Sequence, residues 1–301
     1  MTYVERFQIY VHSLGSLGVG ASVTDVPKSV DTEAPFALRG WQVRIKKGAT
    51  TNNYNFVNSL NIRRKNPAGM YTQTDLLPVP IALAVGSGGF GGIGGHPGLV
   101  YPQEIFPAGS QIAVDVKNTD PAQALDVTIY YWGVKLFPEG SIDAPTYPER
   151  CAMLDYARQM TFLAMGQTET RNNLLLKVAA DADYVFRAAQ FGCNNTFPAF
   201  PAPFKAFHNC LIKISDHNVK PFMDDFVDVN YLCGTSQGTF GQGSSFTGNA
   251  VPGLFVPEIY VRANDLMYID LQRQDAAFIG GAGEGPNDLQ IVFQGAKVYL
   301  K

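Results

Sequence analysis

The strongest constraint on how this chain folds is a segment written twice. DVTIYYWGVK at 126–135 returns as DLQIVFQGAK at 288–297, 162 residues later, with Asp126/Asp288, Ile129/Ile291, Gly133/Gly295 and Lys135/Lys297 in one register. Both copies are β-branched and aromatic, which predicts a buried strand in each. Each stands at the close of one half of the sequence, and a match at a fixed period decides the architecture before any motif does.

The halves keep matching upstream of these strands. IAVDVKNTD at 112–120 lies over MYIDLQRQD at 267–275, with Asp115 on Asp270 and Asp120 on Asp275, 155 residues apart. Glu104-Ile105-Phe106 lies over Glu258-Ile259-Tyr260 at 154, Asp75-Leu76 over Asp225-Phe226 and Ile62 over Ile212 at 150. FALRGWQV at 36–43 lies over YVFRAAQF at 184–191 at 148, with Arg39 on Arg187 and Gln42 on Gln190. Five blocks in one order, with offsets that drift as loop insertions would make them, predict an internal duplication. The expected division is a first unit over 1–137, a linker over 138–150 (PEGSIDAPTYPE and its flank) and a second unit over 151–301; each is long enough to bury a core.

Alternating apolar residues predict strands at 5–12, 18–26, 36–46, 56–64, 70–85, 100–106, 111–117 and 125–137, with Pro78 and Pro80 marking an edge or a bend. The second half repeats the order at 158–164, 172–178, 183–191, 206–214, 222–233, 255–261, 266–272 and 288–299, and CAMLDYARQM at 151–160 reads as a short helix or a lead into a strand. The class is all-β, in two tandem eight-stranded units. Two glycine-loaded stretches, GSGGFGGIGGHPG at 86–98 and GTSQGTFGQGSSFTGN at 234–249, fall at the same point of the strand order. Loops of that length without regular structure are usually functional or ordered only by a partner.

Charged residues make up only 16% of the chain, against about 25% in a typical soluble protein, while there are 30 Gly, 19 Pro and 20 Phe. That balance suits a turn-rich β protein that buries surface against copies of itself. Net charge is −3, which offers no bulk attraction to nucleic acid or anionic lipid. Residues 1–65 nevertheless hold nine Lys/Arg and four Asp/Glu, including Arg44, Lys46, Lys47 and Arg63-Arg64-Lys65. These are either solvated strand ends or a basic rim that meets an acidic neighbour, lipid headgroups or packaged genome. MTYVERFQIYV lacks the cationic and apolar regions of a signal peptide and no apolar run reaches the roughly 18 residues of a bilayer span. Synthesis in a cytoplasm, with Cys151, Cys193, Cys210 and Cys233 reduced, is the expectation, and the sequon Asn194-Asn195-Thr196 is then fortuitous.

The motifs of chemistry are missing. The four histidines, His12, His96, His208 and His217, form no HxH or HExxH, so no metal site is predicted. GGFGGIGG is followed by His-Pro-Gly, not by the Lys and helix of a phosphate loop. There is no GxSxG. Asp115/Asp270 and Asp126/Asp288 could pass for glycosidase carboxylates, but their recurrence in both halves points to architecture. Trp41 and Trp132 fall on predicted strands, as core. No catalytic residue, cofactor or small-molecule substrate is expected.

Two tandem eight-stranded β units, with the paired strands DVTIYYWGVK/DLQIVFQGAK, the paired EIF/EIY segments and the matched glycine-rich loops, resemble the double jelly-roll major capsid proteins of icosahedral viruses, tailless bacteriophages included. The resemblance covers the whole chain and lies in architecture. It implies two jelly-roll sandwiches, a homotrimer that forms a pseudo-hexagonal capsomer, contacts with neighbouring capsomers and other virion proteins, and residence in the virion shell. One departure is that no helical arm pattern precedes the first strand; some members use such an arm to reach neighbours or membrane. Jelly rolls also occur in minor capsid, decoration and tail-adaptor proteins and in carbohydrate-binding or carbohydrate-active proteins.

Overall fold

The computed structural model describes residues 2–47, 60–71, 79–80, 98–144, 152–165, 168–193, 210–216, 220–232, 234–235, 253–273 and 287–299. They form two compact units, whose described residues run from 2 to 144 and from 152 to 299. The first holds β1 (Tyr3–Leu17), β2 (Ser22–Ser29), β3 (Phe36–Lys47), β4 (Leu60–Arg64), β5 (Val79–Pro80), β6 (Gly98–Phe106), β7 (Gln111–Asn118) and β8 (Leu125–Pro138). These make two antiparallel four-stranded sheets, β1-β8-β3-β6 and β2-β7-β4-β5. Their facing residues share one core: Tyr10, Phe36, Leu38, Trp41, Ile129 and Tyr131 from one sheet meet Leu60, Ile62, Ile112, Val114 and Val116 from the other. The predicted class, all-β with antiparallel sheets, is what the chain adopts.

The second unit holds β9 (Ala152–Met165), β10 (Thr170–Lys177), β11 (Asp183–Cys193), β12 (Cys210–Ser215), β13 (Val227–Asp228), α1 (Val229–Leu232), β14 (Gly234–Thr235), β15 (Gly253–Val261), β16 (Leu266–Arg273) and β17 (Asn287–Tyr299). One sheet runs β10-β16-β12-β13; in the other β9, β17 and β11 lie side by side, with β15 antiparallel and β14 parallel along the far edge of β11. Leaving out the two-residue β14, the strand order of the first unit is repeated.

The ladders coincide residue by residue. Gly133 stands opposite Gln8 and Leu38, and Gly295 opposite Tyr156 and Phe186. β3 slips register at Arg39 and β11 at Arg187, so both carry a bulge at the same place. β2 slips between Val23 and Val26 and β10 between Arg171 and Leu174. Inside those slips Asp25 (φ 52) and Asn173 (φ 56) take the left-handed conformation, and Gly20 and Gly109 correspond to Thr168 and Asn264, all four at positive φ. Loop bonds repeat as well. Val30 and Val178 donate to Ser110 and Asp265 carbonyls, Asn118 and Arg273 backbone N–H groups to Ala21 and Glu169, and the isolated bridge Lys65↔Tyr71 returns as Ser215↔Pro221. Even the side chain that closes the end of β1, Asn118 Nδ2 on the Leu17 carbonyl at 3.0 Å, has a counterpart in Arg273 Nη1 on Met165 at 2.6 Å.

Two blocks of the sequence alignment are corrected by this ladder. Phe36 pairs Phe106 while Tyr184 pairs Val261, so Glu258 corresponds to Gln103 and not to Glu104. The repeated Glu-Ile dipeptide drew the match one residue off, and a one-residue slip would turn every side chain of the strand to the other face. Ile62 pairs Val79 and Ile212 pairs Val227, two residues from the offset read through Asp225; Asp75 and Leu76 lie outside the described residues. The strand predicted over 222–233 is a second difference. Among the described residues of that stretch, Val227 and Asp228 ladder with β12, Phe222 donates its N–H to the Ile214 carbonyl, and α1 follows. Asp225 turns its carboxylate onto the Phe226 N–H, a local bond that competes with strand pairing. Of CAMLDYARQM, residues 152–160 form the first part of β9, because β17 offers them a partner throughout.

Gly133 and Gly295 exist for close approach. A Cβ on Gly133 would meet the Ala37 carbonyl oxygen and lie 2.7 Å from Phe36 Cζ; one on Gly295 would meet the Val185 carbonyl, 2.9 Å from its carbon. Gly133→Ala and Gly295→Ala are each expected to lower unfolding free energy by about 3 kcal/mol, while Gly18→Ala, with nothing within 4 Å, is expected to stay within about 0.5 kcal/mol of the parent. Urea titration of the three variants checks this.

Candidate functional site

Among the described residues, a dense group of interacting charges lies on the β2-β7-β4 sheet of the first unit. Asp115 sits mid-strand in β7, opposite Arg63 of β4, with its side chain 1% exposed. Its Oδ1 accepts the Asp25 N–H at 2.8 Å and its Oδ2 accepts Arg63 Nε at 2.6 Å. Burial by itself would raise the Asp115 carboxyl, but the Asp25 N–H, the Tyr71 hydroxyl and the Arg63 guanidinium outweigh it and hold the group below the usual carboxylate range. The bond to Asp115 pushes the Tyr71 hydroxyl up. Arg63 stacks 3.6 Å above the Tyr71 ring, and Lys65, paired with Asp25, lies 5.0 Å from the same ring. The bond to Asp25 likewise raises Lys65.

Asp270 occupies the matching place in the second unit and performs the same backbone task, accepting the Asn173 N–H at 2.6 Å. Opposite it stands Lys213, whose Nζ donates to the Asp224 carbonyl at 3.2 Å. The recurrence of Asp115/Asp270 therefore has a mechanical cause: each closes the bulge of the neighbouring edge strand. Both Asp115 oxygens are committed to that task and to Arg63. Asp126 is on the other sheet, opposite Ser16 and Lys46, and Asp288 opens β17.

The basic run does not present an open row of cations. Arg63 faces Asp115, Arg64 grips Glu104 through two bonds of 2.6 and 2.9 Å, and Lys65 faces Asp25. Arg64 also lies 5.6 Å from the Trp41 ring. These charges are balanced inside their own unit, which neither the solvated reading nor the rim reading anticipated. Arg44 is buried on β3, which Lys46 and Lys47 end. A further repeated pair escaped the sequence reading: Lys135 bonds Glu33 at 2.7 Å and Asp31 at 2.6 Å, and Lys297 bonds Asp181 at 2.7 Å. The lysines were matched from the start; the acids stand 148 residues apart in divergent loops, and that offset was the available signal. The bulge arginines are likewise paired, Arg39 with Gln103 at 3.2 Å and with Glu5, and Arg187 with Glu258 at 2.8 Å.

His12 is buried within the first sandwich, its Nδ1 3.4 Å from the Tyr131 hydroxyl. Burial first, then the Lys28 charge, lowers its pKa to about 4. His96, His208 and His217 lie outside the described residues, as do Cys151, Cys233 and nearly all of both glycine-rich loops; Cys210 is buried at the start of β12. Among the described residues no group of three or more His, Cys, Asp or Glu is placed to hold a metal ion. Trp41 and Trp132 are 4% and 5% exposed, so neither offers a flat face to a sugar.

Asp115→Ala leaves Arg63 and the Asp25 N–H without their acceptor and is expected to cost about 3 kcal/mol, against about 1 kcal/mol for the less buried Asp270→Ala, by chemical denaturation at pH 7. The neutral imidazole of His12 sets a second expectation. Its pKa is depressed on folding, so the unfolded chain binds the extra proton, and stability falls as pH drops from the usual histidine value towards about 4. His12→Gln is expected to remove one proton from that dependence, roughly 3 kcal/mol across the window, in urea titrations at pH 7, 5.5 and 4.5.

No protein-family model and no curated protein matches the chain. Among solved structures it is similar to the infectious bursal disease virus VP2 subviral particle, at 10% identity and a TM-score of 0.28, over 99% of this chain and 73% of that one. It is also similar to PBCV-1 VP54, fitted into a reconstruction of the virophage Sputnik, at 9% identity and a TM-score of 0.24, over 99% and 95% of the two chains. Each likeness is to a virus particle protein and spans the whole chain, at scores too low to set its fold or its role.

Proposed function

We propose that the chain is a viral structural protein built as two tandem jelly rolls, divided near residues 138–150, and that it is a major capsid protein whose homotrimers form pseudo-hexagonal capsomers of an icosahedral shell. The observation that carries this reading is the repeated strand order. β1-β8-β3-β6 facing β2-β7-β4-β5 supports a jelly-roll reading, whose two Greek keys call for such an order, and β9-β17-β11-β15 with β10-β16-β12-β13 repeats that order. The shared bulges, left-handed residues and lysine–carboxylate pairs support descent of both units from one sandwich.

A doubled sandwich has a geometric consequence. Three copies carry six similar β units, so threefold symmetry meets six neighbours with nearly equivalent surfaces. The low charge content and abundant Phe and Tyr suit wide subunit contact. The protein would act in the virion shell, with other virion proteins as further partners. Because Arg63, Arg64 and Lys65 are paired internally, contact with genome or membrane has little support from that run.

Light scattering coupled to gel filtration is expected to give three chain masses at micromolar concentration, and negative-stain images a threefold particle. A stable monomer would overturn the capsomer. Copy number per particle separates a major from a minor capsid or adaptor role.

A further inference from the structure

Lys135 differs from its sister lysine in how many carboxylates hold it. It stands in β8 opposite Arg6 and Phe36, and its side chain is 5% exposed. Its Nζ donates to Asp31 Oδ2 at 2.6 Å and to Glu33 Oε2 at 2.7 Å, so two acids from the loop between β2 and β3 share one nitrogen. Asp31 is also pinned through its backbone: its N–H donates to the Tyr10 hydroxyl at 3.2 Å and its carbonyl accepts the Gly109 N–H at 2.9 Å. In the second unit the Ala179 carbonyl accepts the Asn264 N–H in the same way, which makes Ala179 the counterpart of Asp31 and Asp181 that of Glu33. Lys297 therefore has Asp181 at 2.7 Å and an alanine at the other place.

We propose that Lys135 and Asp31 condense to an isopeptide bond, a covalent staple between β8 and the β2–β3 loop, with Glu33 carrying the proton. Three observations support it. The nitrogen and the target carboxyl are held in contact at 2.6 Å by a folded frame, the arrangement in which a bimolecular reaction becomes effectively unimolecular. The lysine is withdrawn from water, where the pair can exchange a proton and stand as amine and carboxylic acid at lower cost than in bulk solvent. The third group needed, a carboxylate touching the same nitrogen, is Glu33. In the step itself, Lys135 Nζ attacks Asp31 Cγ and the Nζ–Cγ bond forms. Glu33 takes a proton from the nitrogen and returns it to the departing hydroxyl; the Cγ–O bond breaks and one water leaves. No oxidant or further reactant enters. Asp31 is 46% exposed, which leaves the water a way out. The second unit keeps the lysine and fills the place of the proton carrier, but it has no carboxyl where Asp31 stands, so Lys297 remains an ion pair.

The test is intact-mass measurement of the denatured full-length protein, followed by peptide mapping. The parent is expected to be one water lighter than its sequence mass, with the peptide that holds Asp31 joined to the one that holds Lys135. Asp31→Ala and Lys135→Arg are each expected at the full mass of their sequences, while Lys297→Arg keeps the water loss. Glu33→Gln is expected to slow joining by about a hundredfold, read from the joined fraction against time. Because the loop from 31 to 135 stays closed in the unfolded chain, the parent is also expected to run ahead of Asp31→Ala on a denaturing gel. A parent at its full sequence mass overturns the proposal, whatever the variants do. So does a lost water that maps to a cyclised aspartate or to any other pair. The mass of the denatured chain is independent of assembly, so this result and the capsomer reading stand or fall separately.

Discussion

The contact on which both units depend is that of a central strand with a bulged neighbour. β8 lies between β1 and β3, and β17 between β9 and β11. At Gly133 and Gly295 the backbone of the bulged partner comes so close that no side chain fits. The bulge leaves one residue out of the ladder and sharpens the local twist. That residue is Arg39 in one unit and Arg187 in the other, and each is thereby aimed at the next strand, at Gln103 or Glu258. Glycine, bulge and arginine are one device: without the glycine the bulge has no room, and without the bulge the arginine turns elsewhere.

A second device protects the edges of the other sheets. β2 and β10 are edge strands, half or fully exposed along most of their length. Each is interrupted by a left-handed residue whose N–H is taken by a carboxylate of the adjacent strand, Asp115 or Asp270. An edge broken in this way cannot offer a regular row of donors and acceptors to another chain. The first unit strengthens the device with Arg63 and Tyr71; the second relies on the backbone bond and a partly exposed aspartate.

Much of this was legible in residue order. Gly133/Gly295, Lys135/Lys297, Asp115/Asp270 and Arg39/Arg187 were matched from sequence, and each pair has one structural role in both units. The errors arose where identity and geometry disagree. A repeated Glu-Ile outweighed the parity of a strand, because letters carry no record of which face a side chain takes. Residues 222–233 are apolar enough for a strand, yet Asp225 offers the backbone a local alternative that periodicity does not register. His12 gave no warning of its burial, since its neighbour in space, Tyr131, is far away in the chain.

What residue order determines is the strand inventory and its repetition, because alternation and β-branched content are local properties and a duplication leaves paired letters. What only the tertiary structure decided is how charge is used. Arg63, Arg64 and Lys65 read as a basic surface and are in fact closed onto Asp115, Glu104 and Asp25. Those partners are 40 or more residues away, and they meet only because sheet pairing brings β4 beside β7 and sets the two sheets face to face.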